Sequence, residues 1–252
     1  MNSSENNISK EKILKECFYQ GHPNFRGPVF FGTANGNLEK CYELKRKGID
    51  FAYIDMPYFD KTRIHFVGDL KKSQFRVCFN SVFLNKIYDV PGDRFEKLNI
   101  RIEEWKKSGE EIVFFYSSPT VNCFYSNYKE IDSILNNIKK NYPNKKIVKS
   151  KKTSSKLVTK LVPIREQVKN CFFTVSIVSM ASIQAILMGV PCFCHEESPC
   201  FPVSSNFKGN LKNINYSERR YDWCKTLSYG QFTLEEISKG IPLIFYKEYF
   251  KH

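Results

Sequence analysis

Several familiar signatures are missing from this sequence, and each absence removes a class of protein. No apolar run approaches the roughly 18 residues that a membrane-crossing helix needs. The opening MNSSENNISKEK has no apolar stretch of the kind a secretion signal carries, so the expectation is a soluble, cytoplasmic chain. There is no H-E-x-x-H, no paired C-x-x-C, no EF-hand loop and no D-x-D, and the reading is that no metal is needed. Walker-type G-x-x-x-x-G-K and G-x-G-x-x-G are absent too, which argues against a P-loop kinase. The nine cysteines are odd in number and irregularly spaced, so they do not make a disulfide framework. Cys192, Cys194 and Cys200 surround His195 but lack zinc-site spacing; they read as reduced, buried thiols, which fits the cytosol. Acidic residues are also scarce, 26 against 39 Lys and Arg, for a net charge of +13. That excess favours polyanionic partners; the other reading is compositional drift in a Lys- and Asn-rich chain.

What is present is a pattern of short apolar runs alternating with amphipathic ones. Residues 1–20 read as a polar tail leading into a short helix. Val29–Phe31 reads as a buried strand, Gly32, Thr33, Asn35 and Gly36 as a turn, and NLEKCYELKRKG as a helix stopped by Gly48. DFAYIDMPYF is again strand-like, so the start is a β-turn-α-β unit. RVCFNSVF reads as a further strand. The spacing of Phe95, Leu98, Ile102 and Trp105 predicts a helix stopped by Gly109. From residue 110 the order is strand (EEIVFFY), helix (KEIDSILNNIKKNYP), strand (KKIV), strand (CFFTVSIVS), short apolar helix (SMASIQAILMG) and strand (VPCFC). Thr233 followed by Glu236 is a capping box. The expected division is a tail at 1–20, an acceptor-side half at 21–109 and a nucleotide-binding half at 110–252.

The strongest local signal is VSIVSMASIQAILMGVPCFC. A buried strand runs into a small-residue turn and a helix start, where backbone N–H groups and the hydroxyls of Ser179 and Ser182 can meet a phosphate. A simple Ser cap on a core helix accounts for the same residues. Asp55 ends an apolar strand and suits a general base; a turn-capping Asp is the alternative. Tyr58 and Phe59 suit stacking on a base or sugar, or core packing. Arg76 and Asn80 are candidate contacts to acceptor or phosphate, with a surface charge as the alternative for Arg76. Ser117 and Ser118 end a strand and suit phosphate binding, or form a plain Ser-Ser-Pro turn. Lys149, Lys151 and Lys152 could reach a diphosphate or form a solvated run.

The block Ser179, Ser182, Ala185, Ile186, Leu187, Gly189, Val190, Pro191 resembles the nucleotide-binding half of GT-B-type glycosyltransferases. In that family the turn and helix start hold a donor diphosphate; the acidic residue often found in the helix is Gln184 here, which puts the usual donor contact in doubt. The stretches DFAYIDMPYF, RVCFNSVF, EIVFFYSSPTVNCFY, SMASIQAILMGVPCF and QFTLEEISKG, in that order, also resemble small phage-encoded glycosyltransferase-like proteins associated with DNA modification. The resemblance implies an α/β, GT-B-like fold of two adjoining Rossmann-like halves with parallel sheets and an interdomain cleft. It implies a nucleotide-sugar donor, UDP-linked in the first instance, and a hydroxymethylated base in DNA as acceptor. The alternatives are a glycosyltransferase or epimerase acting on surface glycans or small molecules, a nucleotide-binding enzyme of another kind, and a non-catalytic basic nucleic-acid-binding protein.

Overall fold

The computed structural model describes residues 3–59, 70, 73–126, 128–150 and 162–251. Lys151 and Lys152 lie outside the described residues. In chain order the elements begin α1 (Ser3–Gly21), β1 (Val29–Phe31), α2 (Asn37–Lys47), β2 (Ala52–Asp55), β3 (Gln74–Phe79), α3 (Asp93–Lys97), β4 (Glu111–Phe115), α4 (Pro119–Tyr125) and α5 (Tyr128–Asn141). They continue β5 (Lys146–Ser150), α6 (Ile164–Gln167), β6 (Cys171–Ser176), α7 (Ala181–Leu187), β7 (Cys192–Cys194), β8 (Ser205–Asn206), α8 (Arg220–Tyr229), β9 (Gln231–Thr233), α9 (Leu234–Ser238) and α10 (Ile241–Phe245).

The chain divides into two compact units, Met1–Leu84 with Tyr88–Lys97 and Cys224–His252, and Asn85–Ile87 with Leu98–Trp223. The first unit carries a mixed sheet in the order β1-β2-β3-β9. Only β1 and β2 run parallel; β3 is antiparallel to both β2 and β9. The sequence division at residue 109 therefore differs in three stretches: Asn85–Ile87 and residues 98–109 belong to the second unit, and the terminal segment from Cys224 belongs to the first, because β9 completes its sheet. Three-residue β9 carries no sign of its partner in its own sequence, since pairing is a long-range choice.

The first core gathers around Phe75, Val77, Ile54 and Phe232, with Leu14 and Phe18 of α1 and Ile237 of α9. Leu14 and Phe18, four apart, make one apolar stripe on a mostly polar helix. That stripe is why residues 3–21 form a full helix where the sequence suggested a tail and a short one. At its end His22 is buried: Nδ1 donates to Phe18 O at 2.7 Å and the ring stacks on Phe18 at 4.1 Å. Gly48 stops α2 as expected, with φ 65° and its N–H turned back to the carbonyls of Leu44 and Lys45. The Thr233–Glu236 capping box forms in full at the start of α9.

The second unit holds a wholly parallel sheet, β5-β4-β6-β7-β8. β4 and β6 lie near its middle and read as continuous apolar runs, as strands covered on both faces do. Ala185 and Val190 around α7 pack on Val113, Phe115 and Cys171. Tyr142, just past α5, packs its ring on Phe173, whose side chain alternates to the other face.

One predicted helix is shorter than its pattern. Asn99, at φ 50°, follows α3, and residues 101–109 carry no helix. This segment instead runs along the end of α7: Glu103 N–H donates to Leu187 O at 2.8 Å and Lys106 N–H to Gly189 O at 2.7 Å. Trp105 is held by Arg220, whose guanidinium lies 3.9 Å over its ring, and donates its indole N–H to Ser217 O. Tertiary partners outweigh a helical spacing of four apolar residues.

Candidate functional site

In the second unit the chain builds β4, moves outward to β5, then returns to lay β6 on the other side of β4. The strand order therefore reverses between β4 and β6. In a parallel sheet the loops leaving two such strands go to opposite faces, and a crevice opens at their carboxyl ends. The loops here are Tyr116–Ser118 after β4 and Ile177–Met180 after β6. The parallel register Phe115 with Ser176, Phe115 with Ser150 and Ser176 with Cys194 puts all four strand ends on one edge.

Ser117 and Ser118 stand at this edge. Ser117 is buried and its carbonyl accepts from Asn122 Nδ2 at 3.1 Å; Ser118 is half-buried and leads into α4. Ser179 is half-buried, and its Oγ accepts from Ala181 N–H at 3.3 Å. Gln184 lies half-buried on α7. Lys149 is exposed on β5, one residue before the strand end and in register with Phe114.

Ser182 does not stand at the edge. It is fully buried, and its Oγ shares a 2.8 Å hydrogen bond with Ser176 Oγ. Ser182, Ala185 and Ile186 occupy the helix positions i, i+3 and i+4 that turn toward the sheet, so the hydroxyl packs inward. The helix start is also less open than its sequence suggests. Ala181 N–H goes to Ser179 Oγ, Ser182 N–H to Ser179 O and Ile183 N–H to Met180 O. A phosphate at α7 would have to displace these local bonds.

Three residues that sequence reasoning did not assign to a ligand site arrive at this edge. Tyr125, at the end of α4, meets the ring of His195 at 5.6 Å. Since β6 lies between β4 and β7, α4 crosses the carboxyl end of β6. His195 is half-buried between Tyr125 and Phe207; its Nδ1 accepts from Glu197 N–H at 3.1 Å, which leaves Nε2 as the donor of the neutral ring. Burial, then Lys208, hold its pKa below the usual value, against the opposing pull of Glu196, Glu197 and Glu130. Asn122 of α4 is the third such residue, buried and hydrogen-bonded to the Ser117 carbonyl. In sequence, only its nearness to the turn after a buried strand marked it.

In the first unit Asp55 ends β2, beside the Gly32 turn that ends β1; Gly32 N–H donates to Ile54 O at 2.9 Å. Asp55 is four-fifths buried at its side chain. Its Oδ2 accepts from Arg76 Nη2 at 2.7 Å and from Tyr53 OH at 2.9 Å, and Oδ1 accepts from Met56 N–H at 2.7 Å. Burial, then the Asp55 charge, push the Tyr53 pKa well up, so this hydroxyl keeps its proton and donates. The arrangement is a carboxylate fixed in one orientation, with one partly accessible side.

The neighbouring candidates are structural. Arg76 has a side chain only 3% exposed; it lies 4.6 Å from the Phe83 ring and pairs with Asp55, so it is neither a surface charge nor open to phosphate. Burial opposes its charge, and Asp55 with Tyr53 more than offsets that, so its pKa is raised. Tyr58 is buried, with its OH accepting from Leu84 N–H at 3.0 Å; it does not present a stacking face. Phe59 packs on Phe95 at 5.6 Å. Gln231 holds both residues, its Oε1 accepting from Tyr58 N–H at 3.0 Å and Phe59 N–H at 3.2 Å. Asn80 lies at the opposite end of β3 from Arg76. At φ 56° its Oδ1 accepts from Phe51 N–H at 2.9 Å and its Nδ2 donates to Asp50 at 2.7 Å, so it ties off the strand entry. The antiparallel course of β3 sets Arg76 beside Asp55 and carries Asn80 to the start of β2, where a parallel course would have carried Asn80 toward the Asp55 end.

Among the described residues no group of three His, Cys, Asp or Glu side chains is placed to hold a metal ion, and no helix is long and apolar enough to cross a membrane. No protein-family model matches the chain, and no curated protein matches it. Among solved structures the chain is similar to Thermosulfurimonas dismutans KpsC, beta Kdo 2,7 transferase, at a TM-score of 0.50 and 11% identity, covering 91% of this chain and 95% of that one. At that identity the likeness is one of fold: an α/β architecture of two Rossmann-like units, here with one mixed and one parallel sheet, consistent with a two-domain glycosyltransferase fold.

Proposed function

We propose that this protein transfers a glycosyl group from a nucleotide-activated sugar to an acceptor hydroxyl. The observation that carries the reading is the reversal of strand order between β4 and β6, with Ser117, Ser118 and Ser179 in the loops that leave those two strands. The fold likeness to a sugar transferase supports the same reaction class. A UDP-sugar is the first donor to try. The second unit carries 20 Lys and Arg against 11 Asp and Glu, net +9 of the chain's +13, which suits a ligand bearing phosphate. Charge on the departing phosphate would be met by such cations and by backbone N–H groups. Asp55 is the carboxylate proposed to take the acceptor proton, held in one orientation at the end of β2 by Tyr53 and Arg76.

The acceptor has two readings. The positive charge favours a hydroxymethylated base in DNA, which would have to be flipped out of a duplex to react. The Kdo transferase activity of the structural neighbour favours a saccharide hydroxyl. The test is release of free nucleotide from UDP-, CMP-, GDP- and dTDP-linked sugars, with and without each acceptor class. Release that rises with one acceptor class and falls in Asp55→Asn supports the proposal and names the acceptor. No release from any donor with either acceptor contradicts it.

A further inference from the structure

Just after β4 two buried polar atoms, Ser117 Oγ in the turn and Asn122 Oδ1 on α4, have no bonding partner among the described residues. The two residues are 9% and 5% exposed. An unpaired buried hydroxyl or amide carbonyl is destabilising, and native structures rarely keep one without a reason. Here two occur within six residues, at the carboxyl end of the strand that flanks the order reversal.

The chemistry of the pair is selective. Asn122 Nδ2 donates to Ser117 O at 3.1 Å, and this fixes which end of the amide is left over. The free end, Oδ1, can only accept; Ser117 Oγ can donate or accept. A phosphate oxygen only accepts at neutral pH, so it would satisfy Ser117 and leave Asn122 unpaired. A hydroxyl group donates and accepts, so a hydroxylated ring satisfies both.

We infer that Ser117 and Asn122 recognise ring hydroxyls of the bound ligand, a ribose or a pyranose, and not its phosphates. The inference rests on the reading that a nucleotide-activated sugar binds at this edge. It revises the role of Ser117 from phosphate contact to sugar contact, and it adds Asn122 as a specificity residue.

Ser117→Ala is the informative variant, because deleting an unpaired hydroxyl removes no bond from the free protein. Calorimetric titration would use uridine, cytidine, guanosine and thymidine, their 5′-diphosphates (the monophosphate for cytidine), the matching sugar-linked forms, and inorganic pyrophosphate. The melting temperature of each free protein would be recorded alongside. The expected result is an unchanged or higher melting temperature and binding weakened about tenfold per lost hydrogen bond, with no change toward pyrophosphate. A loss already present with nucleosides assigns the contact to ribose; a loss seen only with sugar-linked forms assigns it to the pyranose. Asn122→Ala should show the same binding pattern with some loss of stability, since it also removes the bond to Ser117 O. Three results overturn the inference alone: undiminished binding in Ser117→Ala, equal weakening of pyrophosphate, or a melting temperature several degrees lower, which would mean the hydroxyl bonds a buried water. A wild-type protein that binds no nucleoside, nucleotide or sugar-linked form overturns the activated-sugar reading and this inference with it.

Discussion

Asp55 and Arg76 depend on each other more than either depends on a ligand. Removing one partner of a mostly buried ion pair leaves the other charge stranded, at a cost of about 3–5 kcal/mol for full burial and somewhat less here, where Asp55 keeps a partly open side. Asp55→Ala should therefore lower stability by about 3 kcal/mol in denaturant unfolding, and Asp55→Leu combined with Arg76→Met should recover much of that loss. Lost activity in Asp55 variants counts as catalytic only at a temperature where the variant is still folded. A second residue-scale expectation concerns His22. Burial holds its pKa below the ordinary value near 6.5, against the opposing Phe18 carbonyl. The unfolded chain then binds the proton more readily than the folded one. Stability is full above about pH 6.5 and declines as pH falls below it. Chemical denaturation at pH 7.5 and 5.5 should show a drop in the wild type that shrinks in His22→Gln.

Among the elements, the legible ones were those whose partners are local or whose pattern is strongly one-sided. α2 announces itself through its own stop at Gly48, and α9 through Thr233 and Glu236. Thr233→Ala should cost about 1 kcal/mol through the lost cap. β4 and β6 are buried on both faces, and their apolar-rich runs mark them as central strands. What the pattern could not tell is partner and direction. RVCFNSVF reads as a strand, but nothing in it says antiparallel, and that one fact moves Asn80 away from Asp55. The stretch 101–109 carries helical spacing yet serves as a strap on the end of α7. Gly189 records that contact: at φ 74°, a Cβ there would lie 1.9 Å from Glu104 O. Gly189→Ala should destabilise the second unit by about 2–3 kcal/mol, read as a lower midpoint in thermal unfolding. A wild-type midpoint would mean that the strap is not fixed at that glycine.

For the whole molecule, the sequence conveyed two α/β units and the parallel sheet, and it singled out Ser117, Ser118 and Ser179, which the fold brings to the edge proposed here for the ligand. It over-assigned that edge by including Ser182, because a short apolar helix shows no polar face from which to tell inward from outward. It did not single out Asn122, which stands out only once its amide oxygen is found buried with no partner among the described residues. The terminal exchange of β9 into the first sheet was likewise beyond local pattern, since it joins residues about 157 positions apart, as the Gln231–Gln74 hydrogen bond does. The central claim is that ligand binds where the strand order reverses. Hydrogen exchange read by mass spectrometry, with and without a saturating nucleotide-linked sugar, tests it most directly. The account predicts slowed exchange concentrated in peptides covering residues 116–126 and 177–188. Protection confined to the first unit, around residues 32–37 and 55–59, or no protection by any donor, would contradict it.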